Sequence, residues 1–121
     1  MAEHNILGMI GEEEAVRFLM AKGYVIRHRD WHCGKKDLDI VAEKDQELII
    51  VEVKTRTDER FGSPEDAVTL TKIRRIIASA EAYIETFDVD MPVRFDIITV
   101  TGNTPPFHIE HIMNAFYSPI W

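Results

Sequence analysis

An α/β fold, with a mixed central β-sheet flanked by helices, is predicted by three features of this 121-residue chain. An apolar stripe repeats near the helical period over residues 9–22. Two β-rich runs, 38–43 and 48–54, flank a short polar break. A strong helix start at Ser63-Pro64 is followed by another β-rich run at 92–101. The elements run α-β-β-β-α-β-β, an order that places helices against a mixed sheet. At this length a single domain over residues 1–121 is expected.

The first helix is carried by Ile10, Ala15, Phe18, Leu19 and Met20, with Gly23 as its stop. Tyr24-Val25-Ile26 begins a strand running to about Trp31. Lys44-Asp45-Gln46-Glu47 joins the next two strands as an antiparallel hairpin. Ser63 suits a helix cap, Pro64 the first helical position, and Glu65 and Asp66 the positive end of the dipole. That helix is expected to reach Ile84, turning Val68, Ile73, Ile76, Ile77, Ala80 and Ile84 inward. The strand at 92–101 ends at Gly102-Asn103, and a short strand near Phe107–Glu110 leads into an apolar tail.

Composition narrows the class. Hydrophobic content of 45% and charged content of 29% are ordinary for a soluble globular chain. The lone Cys33 excludes an internal disulfide and a cysteine-rich zinc site. No apolar run approaches the roughly 20 residues of a membrane span. The start Met1–Asn5 lacks a signal peptide's basic and apolar regions, so the expected compartment is the cytoplasm, with no membrane partner. The net charge of −7 disfavours general nucleic-acid binding, but the charge is unevenly spread: residues 27–36 carry net +3, 54–75 net +2, and 76–121 net −5.

Charge also interrupts the hairpin strands. Asp37 and Asp39 lie in the first, Glu52 and Lys54 in the second, and buried charge is costly unless it is paired or coordinates a metal. With the turn at Asp45-Gln46, Asp39 falls opposite Glu52 and Asp37 opposite Lys54. All four then share one face, while Leu38, Ile40, Val51 and Val53 fill the other. Two opposed carboxylates call for a hard divalent cation, Mg²⁺ or Mn²⁺. Lys54 is placed to orient a water or to stabilise charge on a phosphoryl group. The competing reading is a plain ion-pair network at a strand end.

Asp39 followed by Glu52-Val53-Lys54 resembles the PD-(D/E)XK nuclease signature. More narrowly, nearly the whole chain resembles the YraN family of uncharacterised bacterial proteins, which are similar to Holliday-junction resolvases and have the restriction-endonuclease-like fold. The match includes Gly8-x-x-Gly11-Glu12-x-x-Ala15, Gly23-Tyr24, Asp37–Ala42, Val51-Glu52-Val53-Lys54-x-Arg56 and Phe61-Gly62-x-Pro64. It continues through Lys72, Arg94-Phe95-Asp96 and Asn114-Ala115-Phe116. The resemblance implies Asp39 and Glu52 as metal ligands, the Val53 carbonyl as a third, Lys54 as the catalytic lysine, and Glu12 as an acid approaching the site. The chain departs from the family in having Lys36-Asp37 where Gly-Glu is usual. Asp37 keeps the charge but is shorter, so its membership of the site is left open.

Arg56, Arg60, Lys72 and Arg75 are candidates for nucleic-acid contact, with DNA as the expected partner and solvated surface as the alternative. His28 and His32 lack zinc spacing and are expected at the surface. Trp31 is expected to pack against the sheet rather than to stack on a base. Arg94 and Asp96 should pair with each other. The expected function is a Mg²⁺-dependent nuclease acting on branched or damaged DNA. The alternatives are a non-catalytic nucleic-acid-binding module, or a protein-interaction domain in which Phe116, Tyr117, Ile120 and Trp121 dock internally or on a second copy as a homodimer.

Overall fold

The computed structural model describes residues 3–57 and 68–117. Helix α1 (Glu3–Ala21) is followed by β1 (Val25–Cys33), β2 (Lys36–Lys44), β3 (Glu47–Arg56), α2 (Leu70–Phe87), β4 (Val93–Thr101) and β5 (His108–Phe116). The order is the expected one and is consistent with a restriction-endonuclease-like architecture. The five strands form one sheet in sequence order, β1-β2-β3-β4-β5. Only β3 and β4 run parallel; α2 lies in the connection between them, because a parallel return needs a crossover.

The two helices cover opposite faces of the sheet. Ala15, Leu19, Ile40, Ile49, Val51 and Ile98 pack together on the α1 face. Val41, Leu48, Ile50, Ile77, Tyr83 and Phe95 form the core on the α2 face. Gly11 brings α1 hard against β3: a Cβ there would overlap the Thr55 side chain.

The hairpin register is as expected, with Ile40 opposite Val51 and Lys44 opposite Glu47. Asp45 and Gln46 both adopt left-handed backbone, φ 53° and 64°, which a two-residue hairpin turn requires. The expected continuation to Asp39/Glu52 and Asp37/Lys54 does not form. β2 and β3 part after Ile40/Val51, and Asp37 pairs instead with His32 of β1.

Leu38 also departs from expectation, joining the α2-face core while Ile40 lies on the α1 face. Strand alternation would put residues two apart on the same side. β1 changes face at the same level: Arg29 reaches Glu13 on α1, yet Trp31 packs into the α2-face core. The change in β1 falls at Asp30, with φ 48°, and that in β2 at Asp39, between Leu38 and Ile40.

Further expectations are adjusted. Ser63-Pro64-Glu65-Asp66 lies outside the described residues, as do Ile120 and Trp121 of the apolar tail. The described helix starts only at Leu70, so a single helix from Ser63 to Ile84 is not formed. Thr69 is extended (φ −81°, ψ 164°), and its side chain accepts the Lys72 N–H, which ends the helix at this cap. β5 runs nine residues rather than four. It is held at His111 and Asn114 by the buried Asp96 and at Phe116 by stacking on Phe95. His28 is half-buried rather than at the surface, its Nδ1 sharing a 2.6 Å hydrogen bond with the Tyr83 hydroxyl. Trp31, expected to pack against the sheet, packs edge-on against Tyr83 of α2 in the core on that face.

Candidate metal centre

The parting of β2 and β3 creates the site. Beyond Val51, β3 stays paired with β4 as far as Arg56/Thr101 but loses its β2 neighbour. Its backbone N–H groups on that side then need other acceptors. Asp39 supplies one: its Oδ2 accepts the Val53 N–H at 2.8 Å. A side chain thus takes over where the backbone ladder stops, and the Asp39 carboxylate is fixed beside β3.

Glu52 lies next to it. Burial pushes the Asp39 carboxyl up to about 7, and the neighbouring Glu52 carboxylate pushes in the same direction. The Val53 N–H and Lys72 oppose this without overcoming it. The two carboxyl groups are close enough to share a proton. Glu52 is held from the other side by α2, where Lys72 Nζ sits 2.6 Å from its Oε2. Lys54 follows two residues along β3, on Glu52's side of the strand, and is half-buried.

A cleft of about 280 Å³ opens between α1 and Asp39, lined by Gly8, Met9, Glu12, Asp30, Asp39, Val53 and Thr55. Burial raises the Glu12 carboxyl above its ordinary value, against the pull of Arg29, whose Nε lies 3.6 Å from Glu12 Oε1. The structure therefore brings Asp39, Glu52 and Val53 together and lines the cleft with Glu12 as well as Asp39, while Glu52 and Lys54 are not among the lining residues. Asp37 is exposed and does not line the cleft. Arg56 ends β3, where its carbonyl accepts the Gly102 N–H. Arg75 is exposed on α2, and Arg60 lies outside the described residues. Lys72, expected at a nucleic-acid surface, has its ammonium on Glu52.

Two features were not anticipated from sequence. Lys72 as the partner of Glu52 joins residues that local spacing does not connect. Asp30 lines the cleft because of its left-handed backbone, a conformation that aspartate tolerates better than most residues but that sequence does not announce.

The donor set suits a hard divalent cation. Two carboxylates crowd each other, and the Val53 carbonyl lies in the same stretch of backbone. Among the described residues, no three His, Cys, Asp or Glu side chains converge on one point. Such an ion would therefore rest on two carboxylates, the backbone and water. No helix among the described residues is long and apolar enough to cross a membrane.

Comparison with known proteins shows the family and names no activity. Residues 11–100 match the model of the uncharacterised protein family UPF0102. A UPF0102 protein of Phocaeicola vulgatus is 68% identical over 121 residues, covering 100% of both chains. One from Bacteroides fragilis is 60% identical over the same full length. One from Flavobacterium psychrophilum is 46% identical over 117 residues, covering 97% of this chain and 98% of its own.

Proposed function

The chain belongs to the uncharacterised protein family UPF0102, and from its acidic pair we propose that it is a Mg²⁺-dependent nuclease that hydrolyses phosphodiester bonds in branched or damaged DNA. The observation that carries this reading is the Asp39–Glu52 contact. Two half-buried carboxyl groups are held side by side: Asp39, with its pKa pushed up to about 7, lines a cleft, and Glu52 is paired with Lys72. A pair of carboxyl groups crowded in this way is what a divalent cation would neutralise.

Asp39, Glu52 and the Val53 carbonyl would hold the ion. When bound, it would neutralise charge on the phosphate and acidify a coordinated water. The protein's own groups do the rest. The Val53 N–H holds Asp39 in place while its carbonyl stays available. Lys54 Nζ donates hydrogen bonds to the attacking water or to a phosphoryl oxygen, where negative charge develops. Glu12, which lines the same cleft as Asp39 and whose carboxyl is raised by burial, would accept a proton from water. Arg56 and Arg75 neutralise flanking phosphates.

Purified protein should cleave one of duplex, single-stranded or four-way-junction DNA in Mg²⁺ or Mn²⁺. Glu52→Ala and Lys54→Ala should each lower the rate by about 10²-fold or more. Cleavage that survives unchanged in either variant overturns this assignment.

A further inference from the structure

Lys72 is an odd choice for its position. It lies in the first turn of α2, where its backbone N–H donates to the capping Thr69 Oγ1 at 3.2 Å. The first turn is the positive end of the helix dipole, where acids are favoured and cations disfavoured. No acid occupies the first turn of α2. The lysine nevertheless reaches across to β3 and places Nζ 2.6 Å from Glu52 Oε2, with the two side chains only 26% and 11% exposed. Its ammonium is also one of the groups that pull Asp39 toward its charged form. Lys54, the nearer lysine in sequence, makes no ion pair among the described residues.

We propose that Lys72 is the resident counter-charge of the Asp39–Glu52 pair, and that a divalent cation binds by displacing its ammonium from Glu52. This rests on the reading of the pair as a metal centre. Metal loading is then an exchange of one ion contact for another. Lysine fits this role because it offers a compact charge on a flexible stem that leaves readily, where arginine would grip the carboxylate with a planar fork. The exchange also changes the field of the site. Before it, the Lys72 ammonium stands against the two carboxyl groups. After it, the ammonium remains close by and the ion adds two positive charges, so the centre becomes a stronger attractor of phosphate.

The proposal is tested by calorimetric titration of Mn²⁺ into EDTA-stripped wild type, Lys72→Met, Lys72→Arg and Glu52→Gln, with thermal melts of each. Lys72→Met should melt lower without metal yet bind Mn²⁺ about tenfold more tightly, because no ammonium must be displaced. Lys72→Arg should bind more weakly than wild type. Equal or weaker binding by Lys72→Met, with wild-type binding that depends on Glu52, overturns the exchange alone. Absent binding, or binding that Glu52→Gln leaves intact, overturns the metal centre and the exchange with it. A second measurement needs no variant. In the wild type, the Lys72 ammonium should give a slowly exchanging ¹⁵N NMR signal that disappears on adding Mg²⁺. Its persistence at saturating Mg²⁺ overturns the proposal.

Discussion

Asp96 and Asp39 are both aspartates on central strands of one sheet, and Asp96 lies directly across from Val51, one residue before Glu52. Their surroundings drive them in opposite directions. Asp96 is fully buried and is gripped by Arg94 through Nε at 2.9 Å and Nη2 at 2.8 Å, by His111 Nε2 at 2.7 Å and by the Asn114 N–H at 3.0 Å. Burial works to raise its carboxyl, yet the hydrogen bonds from His111, Arg94 and Asn114 prevail and hold it below the ordinary range. Asp39 has one backbone donor and a carboxylate for a neighbour, and burial wins. The first site is saturated with donors and serves the fold, tying β4 to β5. The second sets two carboxyl groups against the single ammonium of Lys72. A buried acid is thus diagnosed less by its burial than by how fully its oxygens are satisfied.

The largest effect expected from this contrast is at Asp96. Asp96→Ala leaves Arg94 and His111 without their shared acceptor and should cost about 3–5 kcal/mol in urea unfolding. A loss below about 1 kcal/mol would mean that the network is not structural.

Lys54→Ala should behave in the opposite way, abolishing cleavage while changing unfolding by less than about 0.5 kcal/mol. A variant that is inactive because it has unfolded would erase the distinction between the two regions.

The pH dependence of stability separates the aspartates further. Asp39 titrates near 7 in the folded chain against 3.8 unfolded, so its stabilising contribution is complete below about pH 3.8 and is lost as pH rises through about 7. Asp39→Asn, which keeps an oxygen for the Val53 N–H, should therefore gain on the wild type by roughly 1–3 kcal/mol at pH 8 and by little at pH 4. Asp96, held below its ordinary value, has the opposite sign: its contribution is present above its unfolded pKa and is lost as acid is added. Stability curves of Asp39→Asn and wild type that run parallel from pH 4 to 8 would contradict the assignment.

The smallest effect lies at the hairpin tip. Replacing Asp45-Gln46 by Asn-Gly relieves two left-handed residues and should stabilise by about 0.5–1 kcal/mol, with cleavage unchanged.

Much of this contrast could be read from the sequence. The Arg94–Asp96 pair follows from their spacing on one strand, and the register around Asp45-Gln46 from the apolar alternation on each side. What alternation cannot foresee is where a ladder stops. Counting outward from the turn placed Asp37 opposite Lys54, because nothing local signals that β2 departs after Ile40 or that Asp30 and Asp39 switch faces together. The hold of Lys72 on Glu52 is a tertiary contact between strand and helix, set by where α2 begins. The cap at Thr69 was hidden behind the stronger-looking start at Ser63. β5 was underestimated because His111 and Asn114 read as surface polar residues until Asp96 is seen to receive them.

The bond from the Val53 N–H to Asp39 Oδ2 carries one more consequence. Most amide protons in the sheet report on strand pairing, but this one reports on the occupancy of a carboxylate. Whatever shares Asp39, whether a proton or an ion, draws electron density from the oxygen that Val53 leans on. A single resonance in a ¹⁵N–¹H spectrum of the wild-type protein thereby becomes a native gauge of the centre, legible without substrate or mutation.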